Sequence, residues 1–204
     1  MDLATGCDLG DAETQKPINH DLETCEVLVT ILQPNCRSVG KLSYVNSVHH
    51  ADTWNAHLME DLPHIRYCGE VALKQMELGR YWIREQPAGS WIDTITPWPE
   101  AVAKHVTDQR MDQCATGAKD CYGMPVKKAT DWTTNHECLV RHMDVYTCDG
   151  THYHGNPTGK ALENMKLYSW KLSGVVVTGI QALKTELRNS IYPCLLYTSD
   201  AADE

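Results

Sequence analysis

Val27-Leu28-Val29-Thr30-Ile31-Leu32 is an unbroken run of β-branched and leucine side chains, closed by Gln33-Pro34. With no polar alternation, such a run reads as a strand buried on both faces, as in a parallel sheet. Downstream, Ile65, Cys68, Val71, Ala72 and Met76 fall at helical spacing within Ile65–Leu78, and Gly79 is placed as the stop. A short strand, Tyr81–Arg84, follows at once. Strand, helix and strand with short joints make a βαβ unit, whose crossover forces the two strands to be parallel. The expected class is therefore α/β, with a parallel sheet core of Rossmann-like type.

Outward from this unit the signals weaken. The segment before Val27 is polar and reads as irregular, and Glu85–Trp98 is a loop rich in Pro, Gly and Trp. A short helix is expected over Glu100–His105, and a strand pair or extended segment over Pro125–Thr134. The last helix is expected over Leu167–Leu187, with Leu172, Val175, Val176, Leu183 and Leu187 on one side; Gly174 and Gly179 count against it. Trp82, Trp91 and Trp98 read as packing residues, and the C-terminal part as largely irregular.

The final stretch, CLLYTSDAADE, is the translation of a transposase-type sequencing adapter, so residues 194–204 are expected to be non-native and are set aside. Asp200, Asp203 and Glu204 leave with it, which changes the formal net charge from -9 to -6. Residues 1–193 suit a single domain with a sizeable core, expected to be truncated at its N-terminus. The acidic balance argues against binding nucleic acid by bulk electrostatics. The acidity lies early: 17 Asp/Glu face 9 Lys/Arg in residues 1–113, against 4 and 6 in residues 141–193, so phosphates would be met by the later half. No apolar run is long enough to span a bilayer. Scattered cysteines without a secretory leader read as reduced thiols, metal ligands or nucleophiles, which gives an intracellular expectation, cytoplasmic or nuclear.

In parallel α/β sheets, binding and catalytic residues gather at the carboxyl ends of strands. Cys36 follows the first strand in Gln33-Pro34-Asn35-Cys36, and Glu85 follows the second in Glu85-Gln86-Pro87. A thiol and a carboxylate facing one crevice would suit a covalent nucleophile and a proton-handling partner. Packing beneath a loop for Cys36, and pairing with Arg80 or Arg84 for Glu85, are the structural alternatives.

Pro-x-Cys after one strand and Glu-x-Pro after the next resemble the catalytic half of the DNA cytosine-5 methyltransferases, with their Pro-Cys loop and Glu-Asn-Val turn. NCRSVGKLSYVN, GRYWIREQPAGSW, DQCATG, PVKKATDW and CDGTHYH, in that order, resemble a domain of copia-type retroelement polyproteins of microbial eukaryotes. The resemblance runs from about Asp2 to Trp170. It implies an incomplete Rossmann-like methyltransferase-type fold, with other parts of a polyprotein as partners and DNA favoured over RNA. It implies that Cys36 adds to C6 of a flipped cytosine, that Glu85 hydrogen-bonds N3, and that S-adenosylmethionine supplies the methyl group. The chain departs from the enzymes in reading Pro-Asn-Cys for Pro-Pro-Cys and Gln86-Pro87 for Asn-Val, and it lacks a Gln-x-Arg-x-Arg motif near Gln113. No Gly-rich turn follows a strand before Val27, so the part that would hold the cofactor is expected to be missing. The competing expectation is a non-catalytic module that holds nucleic acid or zinc, and a decaying copy without function is a third.

Cys148-x-x-x-His152-x-His154 offers a thiolate and two imidazoles in a Gly-containing loop, a donor set that suits zinc. Cys114, Cys121 and Cys138 are the candidates for a fourth ligand; a solvated polar loop is the alternative. Lys127 and Lys128, with Trp132 nearby, could meet a nucleic-acid backbone and stack on a base, or form a solvated strand edge. His49, His50 and His57 read as exposed histidines near a helix start.

Overall fold

The computed structural model describes residues 7–103, 106–155 and 168–191. Its centre is a four-stranded mixed sheet of β1 (Val29–Leu32), β2 (Tyr81–Pro87), β3 (Thr107–Asp112) and β4 (Ala129–Thr134), in the order β1-β2-β4-β3. The expected βαβ unit is present: β1 and β2 are parallel, with Val29 opposite Tyr81 and Leu32 opposite Arg84. The connection between them carries α2 (Ser43–His49) and α3 (Ala51–Glu77). The rest of the sheet is not parallel, because β4 runs antiparallel to both β2 and β3.

Alternation along β2 divides the core in two. Trp82 points to one side and packs with Leu32, Ile65, Ile92 and Trp98 beneath α1 (Ala12–Thr24), α3 and α4 (Trp98–Val102). Ile83 points to the other and packs with Met111, Trp132, Leu139 and Leu172 beneath α5 (Trp170–Ile191). The result is a three-layer α/β/α arrangement in which the central strands β2 and β4 are largely buried and the outer strands β1 and β3 are partly exposed. The two tryptophans of the first core meet edge to face at 5.9 Å, and the Trp98 indole N–H donates to the Ile65 carbonyl at 2.9 Å.

Several elements differ from the sequence expectation. The polar segment before Val27 contains helix α1, capped by the Asp11 carboxylate accepting from the Thr14 N–H at 3.0 Å. α1 is held through Leu22, Ile18 and a Tyr67–Asn19 hydrogen bond of 3.0 Å, which are tertiary contacts a local pattern does not reveal. α3 begins fourteen residues earlier than its apolar stripe, since its first half is mostly solvated. Gly79 does end this stretch, at φ +67°, a conformation that favours glycine. β2 continues through Pro87, so Glu85 lies inside the strand rather than after it. β3, Thr-Asp-Gln-Arg-Met-Asp, has no apolar run because it is an edge strand with one partner and a largely wet face.

In α5 the two glycines behave differently. A Cβ at Gly179 would collide with the carbonyl oxygen of Leu139, because the helix rests directly on the 3-10 turn 137–139; a Cβ at Gly174 would meet nothing among the described residues. Residues Leu167 and 194–204 lie outside the described residues. Among the described residues no helix is long and apolar enough to cross a membrane.

Candidate functional site

The loop that carries Cys36 is fixed by a carboxylate that the sequence did not single out. Asp61 of α3 is 3% exposed and accepts from the Asn35 amide, the Arg37 guanidinium and the Ser38 hydroxyl, each at 2.7 Å. The Gln86 amide donates to the Pro34 carbonyl at 2.8 Å, and the Trp54 indole to that of Ser38 at 3.1 Å. Residues on both sides of Cys36 are thus tied to α3 and β2. Cys36 itself is half-buried, and burial pushes its thiol above the ordinary range; the nearby Lys128 ammonium pulls it down and the Glu85 carboxylate pushes it up. At neutral pH this sulfur is therefore a thiol.

Glu85 approaches the same place from β2. Since Leu32 pairs with Arg84, Glu85 lies one residue beyond the end of β1, where the Cys36 loop begins. Its side chain is on the α5 side, opposite Trp132 across the β2–β4 ladder, and the residue is 8% exposed. Lys128 Nζ stands 3.2 Å from its Oε1 without hydrogen-bonding geometry. Tyr168 covers the spot, its ring 5.9 Å from that of Trp132. Burial first, and then Glu85, raise the Tyr168 phenol, which also lies beside Gln33 and Cys36. The Tyr168 phenol lies within hydrogen-bonding reach of Glu85 and Gln33, while the buried Trp132 indole N–H has no hydrogen-bond partner among the described residues.

The expected nucleic-acid-binding residues sit differently from one another. Lys128 turns inward to Glu85, Lys127 Nζ lies 3.6 Å from Asp112, and Trp132 is fully buried with no face open to solvent. The opposite face of the sheet has a cleft of about 340 Å³. Of its charged residues, Arg84 pairs with Asp93 at 2.5 Å and Arg110 with Asp131 at 2.6 Å, and Asp108 is the remaining carboxylate.

The third group lies past the end of β3. Cys114 stands in the 3-10 turn Gln113–Thr116, and the 148–154 loop folds against it. The ligand atoms of Cys114, Cys148, His152 and His154 all fall within 4.8 Å of one another. These four can hold a metal ion such as zinc, and the structure selects Cys114 from the three candidates. Cys121 is exposed in a turn, whereas Cys138 is buried and donates to Glu186 at 2.5 Å. Burial pushes the Cys138 thiol up to about 11, and its hydrogen bond holds the Glu186 carboxyl below the usual range.

Comparison of the chain with family models, curated proteins and solved structures returned no match. Asp61 and Tyr168 were missed in the sequence because each acts across a long chain separation. The motif Asn35-x-Arg37-Ser38, three polar residues around one cysteine, was the available signal that the loop needed a buried partner.

Proposed function

We propose that this chain is a methyltransferase-like α/β domain of a retroelement polyprotein, related to the DNA cytosine-5 methyltransferases, with Cys36 in the nucleophile position and Glu85 as the carboxyl group that engages the base. The observation that carries the reading is the convergence of Cys36 and Glu85, with Lys128 and Tyr168 against them, just past the end of the parallel β1–β2 ladder. The sheet order also supports it: a parallel pair followed by an antiparallel strand inserted before the edge resembles the second half of a methyltransferase sheet.

In this reading the pocket receives a cytosine turned out of its stack, as the chemistry demands. Addition of the Cys36 sulfur to C6, its proton passing to solvent, moves the C5–C6 π electrons to C5. That carbon would take the methyl group of S-adenosylmethionine, leaving S-adenosylhomocysteine, and loss of the C5 proton to solvent would then expel the Cys36 thiolate. Glu85, taken up as the carboxylic acid once Lys128 has moved away, would donate a hydrogen bond to N3 and favour that addition by drawing electron density from the ring. The neutral, half-buried thiol and the Lys128 contact describe a resting pocket, so base entry must separate Lys128 from Glu85 and expose Cys36.

The test needs no cofactor. An oligonucleotide carrying 2-pyrimidinone in place of cytosine accepts a thiol S–H across C5=C6: sulfur bonds to C6 and the proton goes to C5. A denaturation-resistant protein–DNA adduct that mapped to Cys36 and vanished in Cys36→Ser would support the proposal. No adduct, or an adduct unaffected by Cys36→Ser, would leave the alternative of a non-catalytic binding module.

A further inference from the structure

We infer that Cys114, Cys148, His152 and His154 form a closed, structural Cys2His2 zinc site that fastens the 148–154 loop to the end of edge strand β3. The inference is independent of the cytosine chemistry, since none of these four residues belongs to the Cys36–Glu85 pocket.

The distances fit the ion. A tetrahedral zinc with bonds of about 2.3 Å to sulfur and about 2.05 Å to nitrogen separates those ligand atoms by about 3.6 Å. Cys148 Sγ lies 3.3 Å from His154 Nε2 and 3.9 Å from His152 Nε2, on either side of that edge length. Both imidazoles present the same nitrogen, and their rings stand at 64° with centroids 4.6 Å apart, so the two can approach one point without stacking.

The surroundings are those a metal-bound thiolate needs. The Gly150 backbone N–H donates to Cys148 Sγ at 3.4 Å, which favours the anionic sulfur. Nδ1 of the His152 ring lies 3.8 Å from Asp149 Oδ1, so a negative charge stands near the ring without a direct hydrogen bond to it. The loop is also tied to β3 through its backbone: Asp112 N–H donates to the Tyr146 carbonyl at 2.9 Å, and Cys148 N–H to the Asp112 carboxylate at 3.0 Å.

Four protein donors leave no position for water or substrate, so the ion would act as a cross-link rather than a Lewis acid. A cross-link is useful here because β3 has only one neighbour in the sheet and the 3-10 turn after it is short. Two other readings of the same side chains are a Cys148–His154 nucleophile pair and a Cys114–Cys148 disulfide. The first gives no role to Cys114, and the second none to the two histidines.

The experiment uses the full chain purified with a thiol reductant and without added metal. Metal analysis should find zinc equimolar with protein. Replacement by cobalt(II) should give the visible absorption of a tetrahedral site with thiolate-to-metal charge transfer. Cys114→Ser and His154→Ala should each reduce retained zinc to a small fraction of the wild-type level, while Cys121→Ser, an exposed cysteine outside the set, should leave it unchanged. Should either ligand variant fail to fold, alkylation of the wild-type chain with mass mapping answers the same question: zinc should protect Cys114 and Cys148 together, and a chelator should expose both. A zinc-free reduced chain, an octahedral cobalt spectrum, full zinc in Cys114→Ser, or a Cys114–Cys148 disulfide under reducing conditions would overturn the inference.

Discussion

Asp61→Ala is the substitution with the largest expected effect on the Cys36 loop. The carboxylate is 3% exposed and receives the Asn35 amide, the Ser38 hydroxyl and two nitrogens of Arg37. Truncation orphans the fully buried Ser38 hydroxyl, which costs about 1–3 kcal/mol. The Arg37 side chain is 41% exposed and keeps Glu60 as a partner, so its share is small, of the order of a surface pair at about 0.2–1 kcal/mol. With the Asn35 amide only partly rehydrated, the sum is about 3 kcal/mol, or roughly 6–12 °C in melting temperature for a domain of this size. Glu60→Ala, which removes an exposed carboxylate from the same arginine, should cost under about 1 kcal/mol. Urea unfolding followed by tryptophan fluorescence measures both, and alkylation of Cys36 in the folded state, far below the unfolding midpoint, should be faster in Asp61→Ala. A loss within about 1 kcal/mol of that in Glu60→Ala, or an unchanged alkylation rate at Cys36, would refute the argument that Asp61 holds the loop.

The two glycines of α5 give opposite expectations. Helix propensity alone favours alanine over glycine by roughly 0.8–1 kcal/mol, and Gly174→Ala, which meets no described residue, should show about that gain in thermal unfolding. Gly179→Ala must displace the Leu139 backbone and should destabilise by about 1–3 kcal/mol instead; equal effects at both sites would show that α5 does not rest on that turn. Cys68 supplies a pH test: burial pushes its thiol from 9.0 up to about 12, so the folded state favours the neutral form. The associated stability is complete below about pH 9 and is lost as pH rises toward the folded value. The urea midpoint should therefore fall on the alkaline side, and Cys68→Ala should flatten that fall. The 2-pyrimidinone adduct and the zinc measurements described above test the two sites directly.

The parallel pair was legible because it rests on local pattern. A β-branched and leucine run such as Val27–Leu32 favours a strand, although β1 lies at the end of the described sheet with Ile31 49% exposed instead of being buried on both faces. The stripe from Ile65 to Met76 with Gly79 after it fixes a helix between two strands. The Cys/His spacing at 148–154 was legible for a similar reason, since a short loop brings its own donors together. What local pattern carries weakly was not read. α1 depends on a cap and a few contacts to α3, and β3 on the hydrogen bonds of β4.

The α/β class, the direction of β1 relative to β2, and three of the four members of the Cys114–Cys148–His152–His154 group follow from residues near one another along the chain. The antiparallel half of the sheet, the choice of Cys114 over Cys121 and Cys138, and the gathering of Asp61, Lys128, Trp132 and Tyr168 around Cys36 and Glu85 come from the packed fold. Those choices depend on which side of a strand faces which helix and on where a carboxylate can be desolvated with its donors in place. These are properties of the packed layers, and no single segment encodes them.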